Sequence, residues 1–410
     1  MKKRSLLLGS LLLSSVITFG AGFQLNLQGI RQLAMGGTGA AVPWDVSTVF
    51  YNPGGLTSIR GLQAYGSVHA LMPKLRYVDA PTGTYKADSK DAVYTPFNFY
   101  IGSPLGYKSR VSIGLGVYTP FGSGLAWDEN WKGRYVIQDI SLQTIFIQPT
   151  VAYKVNDQIS VGAGFVYGTG NIEVNRAVPL VNTNGQDGQA NLKGDAKGVG
   201  FNLGLHIKAT KRVWFGLTYR SEVKMKVKRG FATFKVPSSM ASNFPYTAFS
   251  SSLTLPQVAT FGVGFKASNK LILTLDANFT GWSSYDSLIF DYETNTAALA
   301  DTRSPRHYKN TVTLRAGANY KFNDKFSGML GAAFDPTPVK NGYVSPELPD
   351  NNHIITAAGL TYKPRERFTI MAVFEYVITP NRTSSLDEAG FSRTYQNNVI
   401  NPGVGVSYNF

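Results

Sequence analysis

The chain has 410 residues, no cysteine and a formal net charge of +15. The lack of cysteine excludes a disulfide framework and a thiolate metal site. No stretch after residue 20 approaches the roughly 18 consecutive apolar residues of a membrane-spanning helix, which excludes a helical membrane protein. The length alone suggests about two or three domains, but no linker, low-complexity tract or shift in composition divides the chain. One large all-β unit therefore fits better.

The first residues are typical of a targeting segment. A basic start, "KKR", precedes an apolar run over residues 6–19. The run is too short to cross a bilayer, which disfavours the alternative of a transmembrane anchor. We therefore interpret residues 1–20 as a signal peptide with a mature start at Ala21, and we expect the chain to be exported.

The next segment, residues 21–60, follows neither the helical nor the strand pattern. It is rich in glycine and contains the strong turn signal "NPGG" at residues 52–55. A disordered periplasmic tail is one interpretation of this segment. Apolar side chains such as Phe23 and Trp44 are too frequent for such a tail.

From residue 61 onward, large apolar residues alternate with small or polar ones. Val111 and Ile113 share one face of a strand, for example, and Ser112 and Gly114 share the other. A period of two with one apolar face indicates strands that have one side in an apolar medium. The predicted strands are 61–71, 94–102, 111–119, 140–153, 159–176, 198–208, 213–228, 257–266, 271–283, 310–321, 326–335, 353–362, 368–378 and 397–410.

The connections between these strands alternate between tight turns and long loops, each long loop having roughly 18 residues or more. Short turns at one end, long loops at the other and an even strand count are typical of outer-membrane barrels. Closure is required there, because an unpaired strand edge cannot survive in hydrocarbon. A soluble multi-domain β protein is the alternative. The predicted fold is all-β, a 14-stranded antiparallel transmembrane β-barrel over residues 61–410 in the Gram-negative outer membrane.

A barrel of this size with a glycine-lined lumen would leak unless something filled it. Residues 21–60 are the only mature part of the chain outside the strands and their connections. Their glycines allow the backbone to pass close to the wall. We therefore predict that residues 21–60, the hatch, plug the lumen, and that the "NPGG" turn fixes the corner before the first strand.

Several stretches together resemble the FadL family of outer-membrane transporters for long-chain fatty acids and other hydrophobic compounds. These are "AGFQLN", "MGGTGAA", "NPGG", "YTPFG", "WKGRY", "LPQVATFGVGF", "FTGWSSYDSLIFDY" and "FDPTPV". The resemblance covers essentially the whole mature chain. It implies that extracellular loops capture a hydrophobic ligand, that the hatch gates its passage, and that the ligand leaves laterally where the third strand kinks inward.

The resemblance also implies roles for individual residues. The family's hatch junction falls on Asn52, Pro53 and Gly54, where glycine replaces the usual alanine and loses a methyl contact but keeps the turn. The inward kink should fall between Ser112 and Gly116. The expected residues of the lateral opening are Ser112, Gly114 and Gly116.

Aromatic residues in two predicted long loops are candidates for ligand capture. Those of the second long loop are spaced as one stripe of a short helix, and packing onto the barrel rim is the alternative interpretation. The six candidates are Trp127, Trp131, Tyr135, Phe244, Tyr246 and Phe249. The third long loop is polar, whereas family members for long fatty acids usually have apolar helices there. Aromatic hydrocarbons therefore remain possible ligands.

A fatty-acid carboxylate needs a cation in the lumen. The alternation places Arg176 and Arg315 on the lumen face, where either could bind a carboxylate through paired hydrogen bonds. The alternative for Arg315 is a salt bridge within the barrel to Asp276 on the neighbouring strand.

No set of residues suggests an enzyme. The four histidines lie apart, without metal-ligand spacing, and no motif indicates a catalytic, cofactor or metal site. The basic charge suggests contact with outer-membrane lipid and lipopolysaccharide rather than nucleic acid. We expect a monomer that takes up a hydrophobic small molecule. A general porin for polar solutes and a surface adhesin that binds through its loops are the alternatives.

Overall fold

The computed structural model describes residues 22–79 and 83–410. The expected signal peptide and the mature start at Ala21 lie outside the described residues. Within that part of the chain, no helix is long and apolar enough to span a membrane. The described helices are short: α1 (Ile30–Ala34), α2 (Thr48–Tyr51) and 3₁₀ helices at Pro53–Ser58, Ser238–Asn243, Trp282–Ser284 and Asp387–Ala389.

The rest of the fold consists of strands. They are β1 (Gln63–His69), β2 (Met72–Asp79), β3 (Lys86–Asp88), β4 (Phe97–Pro104), β5 (Val111–Tyr118), β6 (Gly122–Ala126), β7 (Asp139–Lys154), β8 (Ile159–Val178), β9 (Gly188–Lys208), β10 (Val213–Arg220), β11 (Val223–Lys235), β12 (Thr247–Leu255), β13 (Val258–Lys266), β14 (Leu271–Thr280), β15 (Ser287–Tyr292), β16 (Thr302–Pro305), β17 (Thr311–Lys321), β18 (Phe326–Asp335), β19 (His353–Arg365), β20 (Phe368–Leu386) and β21 (Phe391–Asn409).

These segments form a closed antiparallel barrel of 14 wall strands, which confirms the predicted fold. Several wall strands consist of two successive segments; β5 and β6 form the third, and β10 and β11 form the seventh. The first and last strands, β1 and β21, pair from Gln63↔Asn409 to His69↔Gly403, and this pairing closes the wall.

The alternation of residue sizes explains which face points outward. On β21, Val404 and Val406 are 56% and 47% exposed on the outer face. Gly403 and Gly405 point inward, and a Cβ atom added at Gly405 would lie 2.8 Å from the side chain of Ile30 in the hatch. The apolar outer face meets lipid, and the small inner residues leave room for the hatch.

Two predicted long connections are mostly strand. The polar stretch "VPLVNTNGQDGQANLKGDAKG" belongs largely to β8 and β9, which leave only residues 179–187 between them. The last hairpin, β20 and β21, likewise turns within residues 387–390. The prediction was wrong because these strands rise above the apolar zone, where water meets their outer face and the alternation of apolar and polar residues disappears.

The hatch lies in the lumen against a ring of wall glycines, in agreement with the prediction. A Cβ atom at Gly216 would lie 2.8 Å from the backbone nitrogen of Ala41, and one at Gly331 would lie 2.6 Å from the Cα of Met35. The glycines whose missing side chains make room for the hatch include Gly102, Gly114, Gly116, Gly162, Gly204, Gly216, Gly262, Gly264, Gly317, Gly331, Gly359, Gly403 and Gly405.

Candidate functional site

The predicted hatch junction is a buried hydrogen-bonded corner. Asn52 is 1% exposed, and its Nδ2 donates to the carbonyl oxygens of Ala40 (2.7 Å) and Leu205 on β9 (3.0 Å). Its Oδ1 accepts from the backbone N–H of Gly54 at 3.0 Å. Pro53 occupies the first position of the 3₁₀ helix, where no N–H is needed. One side chain therefore ties the hatch to itself and to the wall.

Close contact with the wall strands, rather than the turn itself, explains why residue 54 is glycine. A Cβ atom there would lie 2.9 Å from the carbonyl oxygens of both Ser160 and Gly204. A methyl group would therefore press on the backbone of β8 and β9. The alanine that is usual at this position would not fit here without a shift of the wall.

The third wall strand is interrupted, but not within Ser112–Gly116. The strand β5 pairs without a shift with β4 and β7, for example Gly114 with Gly102 and Thr150. The interruption lies at residues 119–121, between β5 and β6. The expected position was wrong because a proline, Pro120, ends the pairing by lacking an N–H donor.

The three residues expected at the kink instead pack inside the barrel. A Cβ atom at Gly114 would lie 2.7 Å from the side chain of Val49, and one at Gly116 would lie 3.2 Å from the same residue. Ser112 is buried. Gly114 and Gly116 therefore make room for α2 of the hatch.

Residues of the hatch pair with the wall at the interruption. The backbone N–H of Leu25 donates to the carbonyl oxygen of Pro120 at 2.8 Å, and that of Gly122 donates to Phe23 at 3.1 Å. Gln24 and Phe121 form an antiparallel bridge between these two hydrogen bonds. The N-terminal end of the hatch thus completes the wall where its own pairing stops.

Aromatic rings connect the hatch junction to this interruption and continue toward the extracellular loops. Consecutive ring centroids are 5.0 Å apart for Phe50–Tyr118, 6.1 Å for Tyr118–Phe146, 6.3 Å for Phe146–Phe121, 5.9 Å for Phe121–Phe23 and 5.0 Å for Phe23–Trp282. We call these six residues the aromatic series. Sequence reasoning singled out only the members that belong to the hatch, such as Phe23.

A cavity of about 50 Å³, lined by both polar and apolar groups, lies between the hatch and the wall. Phe50 and Tyr51 of the hatch line it on one side, and Arg220, Asp276 and Arg315 line it on the other. The cavity is smaller than the engineered apolar cavity of about 150 Å³ that admits benzene. A ligand of that size therefore requires movement of the hatch.

Arg315 faces the lumen, as the alternation predicts, and it is 6% exposed. Its Nη1 donates to the carbonyl oxygen of Gly36 in the hatch at 3.1 Å, and its Nη2 lies 3.8 Å from Asp335. Asp276 is its cross-strand neighbour, but this carboxylate accepts from the backbone N–H groups of Gly39 and Ala40. The predicted ion pair between Arg315 and Asp276 is wrong, because Asp276 accepts hydrogen bonds from backbone amides of the hatch instead.

A second lumen arginine, Arg220, was missed by sequence reasoning. It donates to the hydroxyl of Tyr118 at 2.7 Å and to the carbonyl oxygen of Phe50 at 3.1 Å. Its Cζ also lies 4.3 Å from the ring centroid of Phe50, a cation–π contact. The alternation with Gly216 on β10 could have placed it in the lumen. Arg176, by contrast, lies half-buried near the extracellular end of β8 and does not line this cavity.

A smaller, apolar cavity of about 20 Å³ lies in the barrel among strands β7, β8, β11 and β12. Its apolar lining includes Leu142, Ile172, Met225, Val227 and Leu253. Met225 also lies close to the aromatic series, because a Cβ atom added at Gly168 would meet both Met225 and Phe146. Apolar surface is thus available inside the barrel beside the ring contacts.

The candidates for ligand capture in the second loop are mainly packing residues. Trp127 and Trp131 stack at 4.6 Å and are each 1% exposed. Residues 128–138 form turns rather than the expected helix, because the indole N–H of Trp131 donates to Ile137 and folds the segment on itself. Tyr135 is 38% exposed, and its hydroxyl donates to Asp187.

The candidates of the other loop differ in exposure. Phe249 is 2% exposed and packs on Phe290, and Phe244 is half-buried against Phe234. Tyr246 is 65% exposed. Tyr135 and Tyr246 are therefore the two of the six candidates that present an exposed ring.

Among residues 22–79 and 83–410, no group of three histidine or acidic side chains could hold a metal ion. The lumen histidine His206 contacts the carbonyl oxygen of Ala41 at 3.1 Å and so supports the hatch.

The sequence matches the family described as "Outer membrane protein transport protein (OMPP1/FadL/TodX)" over residues 11–410. It is 27% identical to a putative outer membrane protein of Neisseria meningitidis serogroup B, over 92% of this chain and 90% of the relative. It is 25% identical to the long-chain fatty acid transport protein of Escherichia coli K12, over 88% of each chain.

Solved structures show the same fold. A FadL homologue of Pseudomonas aeruginosa superposes with a TM-score of 0.82 at 21% identity, covering 95% of this chain and 100% of that chain. The toluene transporter TodX of Pseudomonas putida superposes with a TM-score of 0.73 at 16% identity, covering 93% and 98%. Because the family match extends over nearly the whole sequence, the chain belongs to the OMPP1/FadL/TodX family of outer membrane transport proteins.

Proposed function

We propose that this protein is a passive channel for the uptake of hydrophobic compounds, gated by the hatch and opening sideways into the membrane. The interruption of the third wall strand carries the proposal. Phe23 and Leu25 supply the hydrogen bonds that Pro120 and Gly122 would otherwise exchange with the wall. If residues 23–25 retract, the wall loses these partners and gains a lateral gap. An apolar ligand can then enter the bilayer without crossing water.

The aromatic series is a path of apolar rings that suits an apolar ligand. Its rings run from Trp282 to Phe50 and pass the interruption at Phe121. Ring faces and edges offer an apolar ligand favourable contacts at each step. The exposed rings of Tyr135 and Tyr246 are suited to a first contact at the extracellular side.

The cavity beside the hatch favours a ligand with a carboxylate at one end. Arg220 and Arg315 both line it, and a guanidinium can bind a carboxylate through two hydrogen bonds. Relatives support both long-chain fatty acids and aromatic hydrocarbons as ligand classes. Arg220 and Arg315 favour the fatty acids over the aromatic hydrocarbons.

The variant Arg220→Met separates these two classes. It keeps much of the side-chain length but removes the charge, so we expect uptake of a long-chain fatty acid to fall by about tenfold or more. Uptake of toluene by the same variant should stay near the wild-type rate and serves as the control for a folded channel. Equal loss of both activities would contradict a carboxylate-binding role.

A reversible cross-link tests the gate itself. Gln24 and Phe121 lie directly opposite each other between two backbone hydrogen bonds. Such pairs have Cα atoms about 4.5 Å apart, within the range that a disulfide bridges. The chain has no cysteine of its own, so Gln24→Cys/Phe121→Cys creates a single thiol pair. We expect oxidation to block uptake of fatty acid and reductant to restore it.

The control is a cross-link that does not touch the hatch. Thr383 and Thr394 are paired in the β20–β21 hairpin, and Thr383→Cys/Thr394→Cys should leave uptake unchanged in either redox state. Uptake at the wild-type rate through the oxidised Gln24→Cys/Phe121→Cys protein would overturn the gate. Rapid permeation of sugars through the wild type would favour an open porin.

A further inference from the structure

A row of lysines lies on the outer face of the seventh wall strand. In β11, Lys224, Lys226 and Lys228 are exposed, whereas the intervening Val223 and Met225 are buried in the barrel. Three cations in alternate positions share one face of a strand, because successive side chains point to opposite faces. This row was not among the sites that the sequence patterns indicated.

The neighbouring strand adds a lysine directly opposite the row. Lys197 of β9 is exposed and is the cross-strand partner of Lys226. Like charges directly opposite each other destabilise a sheet. Among the described residues, Lys197, Lys224, Lys226 and Lys228 form no ion pair within 4.0 Å, whereas nearby Lys193 pairs with Glu173. The four lysines are the basic row.

Two carboxylates border the basic row without cancelling its charge. Asp195 lies next to Lys197 on the same face of β9, and Glu222 precedes Lys224. Both are exposed, and neither forms an ion pair with a described residue within 4.0 Å. The row has twice as many cations as flanking anions, so its net charge remains positive.

The basic row lies at the edge of the apolar outer band of the barrel. Val199 and Phe201, which follow Lys197 on the outer face of β9, are 59% and 44% exposed. On the seventh wall strand, Leu217 is 53% exposed below the row. The apolar band therefore ends where the lysines begin. The tight turns lie at the other end of these strands, so the row is on the side of the long loops, which in outer-membrane barrels is extracellular.

We propose that the basic row binds a phosphate group of lipopolysaccharide in the outer leaflet. A phosphate at this height neutralises the opposed Lys197 and Lys226 and reaches Lys224, while the acyl chains of the same molecule cover Val199 and Phe201. The phosphate therefore contacts a cationic surface, and the acyl chains contact an apolar one. The inference depends on the outer-membrane location and not on which compound the channel transports.

Binding of lipid A to the purified protein in detergent tests the proposal. The variant Lys197→Gln/Lys224→Gln/Lys226→Gln should bind phosphorylated lipid A about 100-fold more weakly than wild type, because three surface cations are lost. Dephosphorylated lipid A should bind wild type as weakly as it binds the variant. A shift in electrophoretic mobility on heating shows that each barrel is folded.

A matched variant separates a local site from overall charge. Lys270→Gln/Lys325→Gln/Lys363→Gln removes the same charge from the opposite end of the barrel, in or beside its tight turns. It should bind lipid A as wild type does. Equal loss of affinity in both triple variants, or no loss in either, would overturn the proposal. Full competition by inorganic phosphate would assign the row to a free anion rather than to the lipid.

Discussion

Two of the interrupted wall strands, the third and the seventh, are repaired differently. In the seventh, between β10 and β11, Ser221 bridges the gap: its N–H donates to Phe201 and its Oγ accepts from the N–H of Phe201, both at 2.9 Å. In the third, between β5 and β6, the partners of Pro120 and Gly122 come from the hatch. The seventh strand is thus sealed by the wall and the third by a separate segment. Only a break sealed by a separate segment can open while the wall stays folded.

The largest expected effect comes from expelling the hatch. In Gly331→Val, the new side chain would overlap the hatch backbone at Met35 and Gly36, while valine suits the wall strand itself. We expect a folded barrel with a displaced hatch and steady ion conductance in planar bilayers. Gly106→Val is the control, since nothing lies within 4 Å of the added Cβ there. If Gly331→Val conducts no more ions than wild type, the hatch does not seal the lumen.

A smaller effect is expected from weakening only the seal of the third strand. Phe23 is 5% exposed and packs on the rings of Phe121, Trp282 and Tyr285. Truncation of such a phenylalanine costs about 3–5 kcal/mol. In Phe23→Ala, hydrogen exchange of residues 23–28 should therefore accelerate by at least about 100-fold, while the wall strands keep their protection.

The control for this prediction is Leu330→Ala, which removes an outward side chain that is 67% exposed. It should leave exchange in residues 23–28 unchanged. If Phe23→Ala accelerates exchange throughout the barrel, the seal and the wall are one cooperative unit and the contrast between the two breaks fails.

The smallest effect is expected at the seventh strand. Ser221→Ala leaves the N–H of Phe201 without its acceptor, which costs about 1–3 kcal/mol of unfolding free energy. Uptake should not change, because no hatch residue takes part. Ser221→Thr keeps the hydroxyl and should restore stability, which chemical denaturation measures. Loss of uptake in Ser221→Ala with stability retained would mean that this break is a gate too.

The fold was accessible from sequence because the membrane imposes a simple rule on it. Residues facing lipid must be apolar and residues facing the hatch must be small, as Val404 and Gly405 show. The rule ends at the membrane surface. Both long hairpins, β8–β9 and β20–β21, therefore extend beyond the predicted strand ends.

The site was less accessible, because it depends on contacts between distant parts of the chain. The family resemblance implied a kink at residues 112–116, whereas Pro120 marks the interruption. Its partners in the hatch are nearly 100 positions earlier, as in the Gln28–Thr119 hydrogen bond (|i−j| = 91). Arg315 was placed on the correct face, but its hatch contact through Gly36 could not be read from strand neighbours. Arg220 shared the same lumen pattern and was overlooked.

The ring of glycines around the hatch has a consequence for how the molecule is made. Helix α1 contacts β18 to β21, the last strands to be synthesised, while the 3₁₀ helix after Asn52 contacts β7 to β9. Helix α1 therefore lacks its main wall partners until the last strands have been synthesised. Contacts of such high sequence separation slow assembly. The hatch gains its full set of wall contacts only when β1 and β21 pair, so closure of the barrel and plugging of its lumen depend on the same strands.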